Sequence, residues 1–226
     1  MPSRRQLSAV PVALALGVVA LPVASARATP VPPTLKPCYV SVNPAETEYM
    51  RIVATGFKPN AAVQIRITDE APVIVDADAA GTVRARPSAP AQARGERTVT
   101  VTLTDTKNVF DTVTATTEVT ALSVRVRPKR AATSSRVRVR GRGFTRAQAI
   151  WGHYVFRGRV RKTVRLAAGP ASGCGTFSAR GRLIPIRHPR LGRWTLQIDQ
   201  QRRWSPQPHS VFVPVPIIVQ RVIGRR

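Results

Sequence analysis

Amphipathic helices are what this sequence lacks first. No long stretch holds apolar residues at a 3.6-residue period, which argues against a helical bundle or an α/β fold. Aromatic residues make up 5% of the chain, so any core must be built from small branched side chains. There are two cysteines, Cys38 and Cys174, too far apart in sequence for a zinc ribbon or finger. Acidic residues number 11, and beyond residue 121 there is one, Asp199. That scarcity removes paired carboxylates for general acid-base catalysis from the second half of the chain. No Gly-x-Ser-x-Gly elbow presents a nucleophile and no glycine-rich pattern matches a phosphate loop. Long apolar runs are also missing: the stretch over residues 7–23 is interrupted by Pro11 and closed by Pro22, short for a membrane span.

That same stretch has another reading. Arg4 and Arg5 precede it, and Ala24, Ser25, Ala26, Arg27 and Ala28 follow it, the charged, apolar and small-residue sequence of a cleaved secretory signal. Residues 1–28 are therefore expected to be a signal peptide, and the protein is expected to be secreted or held at the cell envelope. In that oxidising setting a lone cysteine pair predicts a disulfide, Cys38 to Cys174.

What fills the rest is period-two alternation. Val63, Ile65 and Ile67 alternate with Gln64, Arg66 and Thr68; Val99, Val101 and Leu103 alternate with Thr100, Thr102 and Thr104. Short strands of this kind, punctuated by Gly, Pro and Asp, predict an all-β sandwich or barrel. The chain also repeats itself. Val40-Ser41-Val42-Asn43-Pro44 returns as Val124-Arg125-Val126-Arg127-Pro128, and Gly56-Phe57 returns as Gly143-Phe144. Gly81-Thr82-Val83-Arg84-Ala85 matches Gly175-Thr176-Phe177-Ser178-Ala179, and the strand from Thr98 matches that from Trp194. Four landmarks in one order predict a duplication, residues 29–121 and 122–226, each of about seven strands, with Phe57 and Phe144 buried at corresponding positions.

On these landmarks each half resembles the tandem immunoglobulin-like modules of bacterial exported and cell-surface proteins, whose second strand often ends in Gly-Phe followed by Pro and a polar turn. Gly56-Phe57-Lys58-Pro59-Asn60 fits that pattern, whereas Gly143-Phe144-Thr145-Arg146 lacks the proline. The resemblance implies two immunoglobulin-like β-sandwich domains serving as a spacer or binding unit, and it implies no ligand.

The remaining chemistry is sparse. His153, His188 and His209 share the second half with Asp199, and surface or turn histidines are the expectation there. Asp76-Ala77-Asp78-Ala79-Ala80-Gly81 begins like a calcium loop, but Ala80 and Pro87 stand where ligands belong, so a turn is expected. No catalytic residue, metal site, cofactor or small-molecule substrate is expected.

Charge is the feature that asks for a reason. Residues 29–121 carry 9 basic and 10 acidic side chains, whereas residues 122–226 carry 24 and 1. A GC-rich genome accounts for arginine in place of lysine; it does not account for two copies of one fold differing so much. With Val124, Val126, Val137 and Val139 facing the core, alternation turns Arg125, Arg127, Arg136, Arg138, Arg140 and Arg142 outward. A neighbouring strand would add Arg180 and Arg182. These eight residues are the candidate polyanion-binding face. Its expected partner is an anionic polymer, an anionic membrane surface or an acidic protein, with nucleic acid a less natural partner for an exported chain. The alternative is a structural spacer or subunit of a surface assembly.

Overall fold

In the computed structural model, residues 29–128, 131–146, 149–169, 173–208 and 211–220 are described. The expected signal segment, residues 1–28, and His209 lie outside them. The protein is all-β and forms two immunoglobulin-like sandwiches in tandem. The first contains β1 (Cys38–Asn43), β2 (Glu46–Thr47), β3 (Ile52–Ala54), β4 (Ala62–Ile67), β5 (Val73–Asp76), β6 (Val83–Ala85), β7 (Glu96–Asp105) and β8 (Asn108–Ala121). The second contains β9 (Ser123–Arg127), β10 (Arg136–Arg142), β11 (Ile150–Phe156), β12 (Arg159–Ala167), β13 (Phe177–Arg182), β14 (Gly192–Asp199) and β15 (Phe212–Val219).

In the first domain a six-stranded sheet, ordered β2-β1-β8-β7-β4-β5, faces the two-stranded sheet β3-β6. In the second, the three-stranded sheet β13-β10-β9 faces β12-β11-β14-β15. Alternation along the strands fills both interiors: Val63, Val99, Val101 and Leu103 are fully buried in one core, and Val137, Val139, Leu196 and Ile198 in the other. Each such side chain removed from water contributes about 1.5–3 kcal/mol, enough for small-residue cores to hold.

The repeat is visible in detail. Phe57 and Phe144 are both buried, and each donates its backbone N–H to a glycine carbonyl 3.1 Å away, Gly81 and Gly175 respectively. Both glycines have positive φ, 72° and 66°. A Cβ on Gly81 would stand 2.1 Å from the Phe57 carbonyl oxygen, and one on Gly175 would stand 2.4 Å from the Phe144 carbonyl carbon. The turn over Asp76 to Gly81 is an Asx turn, with Asp78 Oδ1 accepting from the Ala80 and Thr82 backbone amides.

The copies differ in their first strand. β9 pairs antiparallel with β10, but β1 pairs parallel with β8 on the opposite sheet. The edge of β3 is met instead by an isolated bridge between Val31 and Thr55. Ser41, expected to be the outward counterpart of Arg125, is consequently buried, and its hydroxyl accepts from the Gln92 amide. In register with Gly56-Phe57 and Gly143-Phe144, Val53 and Thr55 stand where the second copy has Arg140 and Arg142, whereas β1 and β9 do not occupy matching places.

The chain passes between the two cores at Leu122, whose N–H donates to the Ser41 carbonyl at 2.8 Å. Cys38 and Cys174 form the expected disulfide across this junction, with Cα atoms 5.1 Å apart and both residues buried. Glu48 of the first domain receives Lys36 at 2.5 Å and Arg146 of the second at 2.7 Å. Burial pushes the Glu48 carboxyl up, but the hydrogen bonds and charges of Lys36 and Arg146 outweigh it and hold the group below the ordinary glutamate value.

Candidate polyanion-binding site

The outer face of β13-β10-β9 is built by register. Arg127 lies opposite Arg138, which on its other side lies opposite Arg180. Arg125 lies opposite Arg140, and Arg136 lies opposite Arg182. Adjacent strands are separated by about 4.8 Å and alternate residues along a strand by about 7 Å, so the guanidinium stems rise from a two-dimensional lattice. Beneath them Val137 and Val139 are buried, with Val124 and Val126 packed against the same core. The valines hold the strands to the sandwich, and the pleat does the rest.

Arg125, Arg127, Arg138 and Arg140 together line a cleft of about 310 Å³. Four directly opposed arginine pairs each cost roughly 0.2–1 kcal/mol. No carboxylate among the described residues lies within ion-pair distance of Arg125, Arg127, Arg136, Arg138, Arg140, Arg180 or Arg182. Arg142 differs, because Glu96 of the first domain stands 3.6 Å from it. The structure thus brings seven of the eight arginines onto one open face and turns the eighth toward the domain junction.

The histidines need a correction. His188 is exposed in a turn, but His153 is fully buried together with Asp199. By alternation both project from the outer face of their sheet, since Tyr154, Leu196 and Ile198 fill the inner one. The segment over residues 200–208 folds back over them. His153 Nε2 donates to Asp199 Oδ1 at 3.2 Å and to the Gln201 carbonyl at 3.0 Å, while its Nδ1 faces the Thr163 hydroxyl at 2.9 Å. Asp199 also accepts from the Gln201 backbone and from the Gln197 side-chain amide, and Trp204 Nε1 donates to Gln197 Oε1. A hydroxyl, an imidazole and a carboxylate do come together, but the last two have no exposed surface on which to meet a substrate. They anchor the segment that covers them.

Cys38, Cys174 and Glu118 also meet, with a Glu118 carboxylate oxygen 3.0 Å from Cys174 Sγ. Both sulfurs are bonded to one another, so the trio offers no thiolate to a metal.

No protein-family model matches the chain, and no curated protein matches it. Among solved structures it is similar to bovine butyrophilin, at 12% identity and a TM-score of 0.32, over 85% of this chain and 98% of that one. It is similar to the FN1–FN3 domains of chicken CNTN1, at 11% identity and 0.29, over 86% and 67%. It is also similar to fibronectin(III)-like modules of Clostridium thermocellum CbhA, at 11% identity and 0.24, over 85% and 97%.

Proposed function

We propose that this is a non-enzymatic exported protein whose second domain docks on an anionic polymer through the face of Arg125, Arg127, Arg136, Arg138, Arg140, Arg180 and Arg182. The observation that carries the reading is the cleft lined by four arginines with no carboxylate among the described residues to neutralise them. Arginine suits such a role because its planar fork grips phosphate, sulfate or carboxylate with two parallel hydrogen bonds and stays charged at every relevant pH. The first domain, a copy of the same sandwich, has Val53 where the second has Arg140, so the fold does not require the charge. A soluble polymer is favoured over a membrane because the exposed large apolar residues of the second domain, Val160, Leu191 and Ile218, lie off this face.

The test uses the full chain. It should be retained on dextran sulfate beads at low salt and released as the Debye length falls from about 10 Å at 0.1 M to about 3 Å at 1 M. Arg138→Thr with Arg140→Thr should weaken retention while the fold persists. Equal retention of this variant and the parent would leave the arginines as a solvated surface and favour the spacer reading. Capture by anionic vesicles without capture by soluble polymer would replace the polymer with a membrane.

A further inference from the structure

Resting on that reading, we infer that the cleft is a two-row phosphate-type site that takes a pair of tetrahedral oxyanions about 7 Å apart, one gripped by Arg127 and Arg138 and the other by Arg125 and Arg140.

The register supplies the argument. A cross-strand pair of arginines stands about 4.8 Å apart at the stems, close enough for both forks to converge on one anion. The two pairs are offset by two residues along the strands, and that offset sets the distance between the anions. Each guanidinium presents donors in a fixed plane. Two of them can each give a parallel pair of N–H bonds to a different edge of a phosphate or sulfate tetrahedron, whereas a carboxylate has a single edge for such a pair. Four arginines lining about 310 Å³ therefore match two tetrahedral oxyanions better than a single carboxylate. Arg180, opposite Arg138, extends the first row and leaves the second shorter, since Ser178 stands opposite Arg140. The ligand class is accordingly a linear polymer bearing phosphate or sulfate monoester groups and lying along the strand direction of β9 and β10, each row taking one such group.

Simple alkane bisphosphonates of graded chain length measure the spacing directly, with alkyl monophosphonates and matched dicarboxylates as references, in calorimetric titrations of the full chain at low salt. The expected optimum is the bisphosphonate whose groups span about 7 Å, binding at least about tenfold tighter than the monophosphonate, because the second row then acts at high effective concentration. Arg127→Lys with Arg138→Lys, which keeps the charge and removes the forks, should bring the bisphosphonate down to the monophosphonate level. Arg127→Thr with Arg138→Thr should do the same, with circular dichroism verifying the fold of both variants. Affinity that rises with charge alone, indifferent to spacing and restored by lysine, would overturn the two-row site and leave general polyanion docking standing. Failure of the bisphosphonates, of sodium polyphosphate and of dextran sulfate alike would overturn both.

Discussion

Single residues do the work of placing chain segments in this protein, and glycine shows it twice. Gly81 and Gly175 sit at matching points of the two sandwiches, each with positive φ and each too close to a phenylalanine backbone to carry a Cβ. Gly158 has a similar φ of 70° but open space around it. Gly81→Ala and Gly175→Ala should therefore each destabilise their domain by about 2 kcal/mol or more, and Gly158→Ala by about 1 kcal/mol from backbone strain alone. Thermal unfolding of the three variants checks the order. Asp199→Ala removes a buried acceptor from His153, Gln197 and the Gln201 amide, and should cost about 1–3 kcal/mol in denaturant unfolding. Glu48 carries a pH dependence. Its folded pKa lies below the ordinary glutamate value, so its contribution is present above that value and is lost as pH falls through the folded pKa. Glu48→Gln should lower the midpoint of unfolding at neutral pH, and the gap to the parent should close in acid. A gap unchanged down to the acid limb would mean that Lys36 and Arg146 stabilise nothing through this carboxylate.

At the scale of strands, much was legible because alternation is a local rule. Val137 and Val139 inward and Arg138 and Arg140 outward follow from the pleat, as does the neighbouring place of Arg180 once Phe177 and Ala179 are read as core. What alternation cannot reach is which sheet a strand joins. β1 and β9 share a pattern, yet β1 lies beside β8 because the Val31 bridge already meets the edge of β3. Nor can it reach a segment that folds back over a sheet, and this is why His153 reads as a surface residue and is buried. The arginine register itself makes a stability prediction. Arg138 opposes arginine on both sides, so Arg138→Thr relieves two repulsive pairs while keeping strand propensity. Its unfolding midpoint in low salt should equal or exceed that of the parent, and the difference should shrink in high salt. A clear loss of stability would mean that the stem of Arg138 packs on its neighbours more than its charge repels them.

The whole molecule is asymmetric, a near-neutral sandwich fixed to a strongly basic one. The junction is held by a disulfide, by the Glu48 to Arg146 and Glu96 to Arg142 pairs and by the backbone hydrogen bond from Leu122 to Ser41, so the basic face is presented from a tethered second domain. Closing a loop with a sequence separation of 136 residues stabilises the fold by about 5 kcal/mol in the chain-entropy model. Cys38→Ser with Cys174→Ser should leave both sandwiches folded, lower the unfolding midpoint and broaden the interdomain distance distribution in small-angle scattering. Polymer binding by that variant should survive, since the cleft lies wholly within the second domain. Whether the cleft holds a polyanion is decided by titrating the full chain with sodium polyphosphate over a series of salt concentrations, beside the variant with Arg125, Arg127, Arg138 and Arg140 all replaced by threonine. Each phosphate neutralised contributes about −0.7 to −0.9 to the slope of log affinity against log salt in nucleic acids, so losing the four arginines that hold two phosphates should make the slope shallower by roughly 1.5. Parent and variant lines of equal slope and equal affinity would contradict polyanion binding in the cleft.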